Sequence, residues 1–213
     1  VTSVWAVLPH RSAEDAVRAA KALGDGCGLV VTPALTAGPG PAVVAALAAI
    51  GPVLVLAGLH GDAADAAVAG QRLVEYGASW VSVEVAGGPG LAGAVTAAIG
   101  GDHALAVTLW PGVDDATAAA TRLGTSRGRV VSRLAAVASD AGMGAVLCEP
   151  ADLGVVAQVA SDLSRFVWGV GSADEAASVF ERGAAAVIIP SEAVAGRDPG
   201  RVIERFLAVA PSG

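Results

Sequence analysis

Val53-Leu54-Val55-Leu56-Ala57 is an unbroken apolar run. Asp62 then opens an Ala-rich stretch that lasts to Tyr76 and stops at Gly77, and Ser79-Trp80-Val81-Ser82-Val83-Glu84-Val85 is a second β-rich run. Short runs of aliphatic residues without alternation fit strands buried on both faces. Asp62 is of the type that caps a helix start, and Gly77 of the type that ends one. The stretch therefore reads strand, helix, strand. A connection of this kind joins parallel neighbours.

The same alternation recurs along the chain. Strands are predicted over 3–8, 28–32, 53–57, 79–85, 104–109, 145–148, 166–169 and 185–189. Helix starts are marked between them. Ser12 stands ahead of Glu14 and Asp15, and Pro41 sits near the next start, where its missing N–H costs nothing. Asp62 precedes a helix over 63–76, and a helix over 89–99 begins at Pro89. A double connection over 114–123 and 130–141 follows strand five. Pro150-Ala151-Asp152, Ser172-Ala173-Asp174-Glu175 and Arg197-Asp198-Pro199 open the last three helices, the final one running to about residue 208. Eight strand–helix units with short links place the chain in the α/β class as a (β/α)8 TIM barrel, one domain over residues 1–213. A doubly wound sheet would want a Gly-x-Gly-x-x-Gly turn after strand one, and Leu8-Pro9-His10-Arg11 is not that.

Composition removes several function classes. Hydrophobic residues make up 54% but aromatics only 4%, so Ala, Val and Leu must build the core. The net charge is −7 and no Lys/Arg-rich run occurs, so a nucleic-acid or anionic-membrane partner is not expected. No apolar run reaches the roughly 18–20 residues of a membrane span. The N-terminal stretch has no basic region ahead of an apolar block, so no secretory signal is expected. Cys27 and Cys148 are far apart and outside any Cys-x-x-Cys pair, which suits buried thiols in a reducing compartment, hence the cytoplasm.

Several segments, in order, resemble the superfamily of orotidine 5'-phosphate decarboxylase and 3-hexulose-6-phosphate synthase. Val30-Val31-Thr32-Pro33-Ala34-Leu35 is similar to the synthase's second strand and turn. Leu54 to Gly61 stands where the superfamily carries its Asp-x-Lys-x-x-Asp strand. Tyr76 to Gly88 resembles the next strand and its glycine pair, Ala138 to Cys148 the sixth strand, and Arg182 to Pro190 the last. Asp198-Pro199 matches the start of the final helix. The resemblance implies a barrel, a small-molecule substrate and a two-fold homodimer.

The departures concern the chemistry. The acid, lysine and acid of the motif strand read Leu56, Gly58 and Gly61. The first-strand Asp reads Pro9, and the acid of the synthase's second strand reads Leu29. Asp62, one place beyond the motif, is read as the helix cap. Lys21 is the sole lysine and falls in the first helix, so no strand end offers an amine. Schiff-base aldol chemistry and protonation of a carbanion by lysine are excluded on inventory. The phosphate-gripping Gly-Arg of the last strand reads Pro190-Ser191, and proline has no N–H to give. Gly169 and Gly171 keep part of the seventh-strand backbone nest.

Reactive groups of a barrel sit at the C-terminal ends of its strands. There the sequence places His10, His60 and Glu84 as a candidate acid–base set. The competing reading is two loop histidines and a glutamate bonded to backbone. No cofactor is expected, although the same three residues also suit a divalent metal. Trp110 and Trp168 are candidate walls for a flat or apolar ligand. Cys148 is read as a buried inert thiol. Glu149 is a second candidate carboxylate or a helix N-terminal acid, and Ser191 and Glu192 are candidate polar contacts or caps. The function expected is a lyase, isomerase or cyclase acting on a small, largely unphosphorylated substrate. A non-catalytic binding or scaffold barrel and retention of the parent activity are the alternatives.

Overall fold

A computed structural model describes residues 2–8, 12–120, 124 and 126–211. Pro9 and His10 lie outside the described residues. Among those described, eight parallel strands close a barrel in sequence order. They are β1 (Val4–Leu8), β2 (Cys27–Val31), β3 (Val53–Leu59), β4 (Trp80–Glu84), β5 (Ala104–Val107), β6 (Ala145–Cys148), β7 (Ser164–Trp168) and β8 (Ala186–Ile189). The helices are α1 (Ala13–Leu23), α2 (Pro33–Ala37), α3 (Ala42–Ala48), α4 (Ala63–Glu75), α5 (Pro89–Ile99), α6 (Asp115–Ala120), α7 (Arg127–Asp140), α8 (Leu153–Val159), α9 (Ala173–Glu181), α10 (Ser191–Val194) and α11 (Pro199–Leu207). The (β/α)8 barrel expected from the sequence is the architecture observed.

Side chains alternate across each strand, so the same eight runs feed two apolar layers. The inner layer includes Trp5, Leu54, Leu105, Leu147, Phe166 and Ile188. Trp5 packs tilted and Trp80 edge-on against Phe166, at ring-centroid distances of 5.8 Å and 5.3 Å. Trp5 pairs in register with Gly28, and a Cβ at Gly28 would run into the indole. A glycine on β2 thus makes room for the largest side chain on β1. The outer layer packs Val4, Leu29, Val53, Val81 and their like against the helices.

The caps hold where sequence placed them. Ser12, Asp62, Ser172 and Asp198 each accept a hydrogen bond from a backbone N–H in the first turn of their helices. Asp62 accepts from Ala64 at 2.9 Å and Asp65 at 3.2 Å. Replacing Asp62 by alanine is expected to cost about 1 kcal/mol, or roughly 2–4 °C in melting temperature, and Asp62→Ser should recover most of it. An unchanged melting curve would remove Asp62 from its structural role.

Several features depart from the expected pattern: β5 stops at Val107, two residues before its predicted end, and a short helix, α10, precedes the final helix. Thr32-Pro33 starts an extra single-turn helix, α2, with proline in its first turn. Strand β3 runs two residues beyond the predicted end, and its pairing with β4 slips between Val55 and Leu59, where four steps on β3 match two on β4. Gly58 sits in that irregularity at φ +57°, a conformation that glycine adopts without strain.

Candidate functional site

The slip in β3 brings three residues together at the C-terminal mouth. Its extra residues turn the Gly58 amide away from the ladder, and that N–H donates to the buried Ser82 hydroxyl at 2.9 Å. Ser82 and Glu84 share the inward face of β4 with Trp80. A Cβ at Gly58 would lie 3.5 Å from Glu84 Oε1. The carboxyl of Glu84 therefore occupies the space into which a longer side chain at Gly58 would grow.

Glu84 Oε1 is buried and has no hydrogen-bond partner among the described residues. Burial pushes the Glu84 pKa up. The Trp110 side chain beside the carboxyl and the nearby His60 pull it partly back. His60 is exposed at the rim, and its Nδ1 lies 2.6 Å from the Gly58 carbonyl. That contact assigns the proton to Nδ1 when the ring is neutral and leaves Nε2 as the acceptor. Val7, Val30, Leu56 and Val107 belong to the barrel's inner apolar cluster, against which Trp110 and Trp168 pack. The structure thus brings Glu84, His60 and Trp110 together, with Trp168 on the same inner cluster.

Among the other candidates, Glu149 has structural partners. Glu149 Oε1 accepts from the Gly112 amide at 2.6 Å, and its Oε2 lies 3.3 Å from Arg127. It also forms a capping box with Asp152. Cys148 is buried, and burial pushes its thiol up to about 12, so it carries no thiolate near neutrality. Cys27 is likewise pushed up to about 12 by burial. Ser191 is half-buried on a mostly apolar cavity of about 280 Å³ between β1, α1 and α10, and Glu192 is exposed. Neither side chain caps a helix.

The seventh-strand nest is also engaged. The Gly169 and Val170 amides both donate to the Ile188 carbonyl, at 3.0 Å and 3.3 Å. The Gly171 amide donates to Glu175 Oε2 at 2.9 Å. A protein carboxylate thus already stands on the last of these donors.

Lys21 is exposed in the last turn of α1, at the end of the barrel away from the mouth. Among the described residues no three His, Cys, Asp or Glu side chains are grouped to hold a metal ion. No helix among them is long and apolar enough to cross a membrane.

Sequence reasoning missed Gly58 as a site former and Arg127 altogether. A lone glycine inside a strand pattern is the one signal that pointed to the bulge. Arg127 gave none, because its partners lie at Val113, Glu149 and Asp152.

The fold and the polar groups at its mouth define a single-chain (β/α)8 barrel with a carboxyl and an imidazole at the C-terminal ends of β3 and β4. No protein-family model matches the sequence, and none of the curated proteins matches it. Among solved structures the chain is similar in fold to orotidine 5'-phosphate decarboxylase from Lactobacillus acidophilus, with a TM-score of 0.89, 18% identity and 99% of each chain covered. It is also similar to orotidine 5'-monophosphate decarboxylase from Methanocaldococcus jannaschii complexed with the inhibitor BMP (TM-score 0.81, 15% identity, 99% of each chain). The third is 3-hexulose-6-phosphate synthase from Salmonella typhimurium (TM-score 0.77, 16% identity, 97% of each chain). The barrel is thus that of the decarboxylase and synthase structures along its whole length.

Proposed function

We propose that this protein is an enzyme that moves protons on a small, largely unphosphorylated and partly apolar substrate, in a lyase, isomerase or cyclisation step. One observation carries the reading: the buried, unpartnered Oε1 of Glu84 at the end of β4. A polar atom left without a partner in an apolar wall costs stability, and such a cost is retained where a ligand supplies the missing partner. Burial raises the carboxyl's proton affinity above that of an ordinary glutamate, the direction a proton-donating carboxyl needs. His60 is the second proton carrier, through its free Nε2. Trp110 and Trp168 hold the apolar part of the substrate. His10 follows β1 in the chain and joins this set as the third proton-moving group.

The occupied amides after β7, and Pro190-Ser191 after β8, support a substrate without a phosphate gripped there. Gly58, where the superfamily motif has lysine, supports a step other than lysine-assisted decarboxylation. The resemblance extends the proposal to a two-fold homodimer, and the buried thiols to the cytoplasm. A non-catalytic binding barrel is the second reading, favoured by the packing of Trp110 and Trp168 on the barrel's own inner cluster.

Assays with free and phosphorylated carbonyl compounds, with and without EDTA, test the proposal. A free compound should be consumed by the wild type and spared by Glu84→Gln. Decarboxylation of orotidine 5'-phosphate at an ordinary enzymatic rate would overturn it.

A further inference from the structure

We infer that Arg127 is a positioning residue, which holds Trp110 against Glu84 through the loop between β5 and α6. The inference rests on the reading of Glu84 above, and it concerns a residue bonded to the mouth loop and not to that carboxyl.

The loop from Trp110 to Asp114 lies largely on the surface, where connecting segments move unless they are tied. Four bonds tie it. The Gly112 amide donates to Glu149 Oε1 at 2.6 Å. Arg127 Nη1 donates to the Val113 carbonyl at 2.5 Å. The Arg127 amide donates to Asp115 Oδ1 at 2.6 Å, at the start of α6. The Val113 amide closes a turn on the Trp110 carbonyl at 3.2 Å.

The anchor behind these ties is rigid. Nε and Nη2 of Arg127 fork onto the two oxygens of Asp152, at 3.2 Å and 2.6 Å. Asp152 is nearly inaccessible, and the Arg127 side chain is only 15% exposed. Asp152 in turn accepts from the Glu149 amide at 3.1 Å. A planar guanidinium satisfies two oxygens and a carbonyl at fixed angles, which a lysine ammonium on a flexible stem does not. The path runs from the buried Asp152 through Arg127 and Glu149 to Gly112 and Val113, and so to the indole on Glu84. The indole also packs on the inner cluster, and these bonds fix the loop that carries it there.

The test labels the full chain with 5-fluorotryptophan and follows the fluorine resonances across pH. Trp110→Phe assigns the Trp110 signal, and the buried Trp5 signal reports an intact barrel. In the wild type the Trp110 signal should move as the carboxyl beside it titrates. Glu84→Gln should abolish that movement, which separates it from any effect of His60, the other titratable group facing this carboxyl. In Arg127→Lys and in Glu149→Ala the movement should be lost and the Trp110 signal should shift toward that of a solvated indole, while the Trp5 signal stays in place. Should Arg127→Lys fail to fold, Glu149→Ala carries the test. A Trp110 response that survives in both variants, with Trp5 unchanged, overturns the inference and leaves the Glu84 reading standing. A wild-type Trp110 signal that ignores pH overturns the Glu84 reading, and this inference with it.

Discussion

Asp152→Ala should destabilise the protein by about 3–5 kcal/mol, because it leaves Arg127 buried without its bidentate partner. For a chain of this length that corresponds to a fall of roughly 10 °C in melting temperature. Burial sets the size of this loss. The Arg18 pairs with Glu14 and Asp15 on α1 are about as short, at 3.0 Å and 2.9 Å, but their side chains are half to almost fully exposed. Water screens such pairs to below about 1 kcal/mol. Asp152 is 4% exposed and Arg127 15%, so removing either leaves a charge with little access to water. Glu149, at 3.3 Å from the guanidinium, offsets part of the loss but not the fork. The double variant Arg127→Met/Asp152→Leu should lose less than the sum of its single changes, since no unpaired charge remains. Urea unfolding of the four proteins in a double-mutant cycle measures the difference. Strict additivity would show that the pair is solvated in solution and that the network is not an anchor.

The fold was legible because each strand repeats one local pattern. Ala145–Cys148 and Pro89–Ile99 coincide with their predicted bounds, since an apolar run between helix signals leaves the ends little freedom. The caps at Ser12, Asp62 and Ser172 were legible for the same reason: a cap is settled within four residues. The site was legible only in its members. Glu84 stood out as an acid inside Val83-Glu84-Val85, and His60 as a group just past a strand. Their meeting depends on the slip in β3, and a backbone conformation at Gly58 leaves no trace in side-chain periodicity. Glu149 read equally well as a substrate carboxylate or a helix-start acid. The bond that decides its place is to Gly112, 37 residues away. The glycines after β7 looked like an open nest because the carboxylate that takes the Gly171 amide, Glu175, belongs to the next helix.

Glu84→Gln should do two opposite things: stabilise the fold near neutral pH and remove turnover by a factor of about 10²–10⁴, the usual contribution of a general acid or base. The stability effect follows from linkage. Burial raises the folded-state pKa of Glu84 above its ordinary value of 4.5. The folded protein then holds this proton more tightly than the unfolded chain does. The stabilisation it gives is fully present below the unfolded pKa and is lost as pH rises through the folded one. Above that window wild type keeps a poorly solvated charge, with Oε1 unpartnered, and the glutamine variant does not. Because the carboxyl retains some solvent contact, the gain is on the order of 1 kcal/mol. Urea titrations at a series of pH values should give two curves that lie together in acid and separate as pH rises above the ordinary glutamate value, with the variant the more stable. A constant gap between them would mean that Glu84 titrates like a surface carboxylate. The stability gain and the catalytic loss must then arise from the same atom, since the oxygen that costs the fold a partner is the one left free for a substrate.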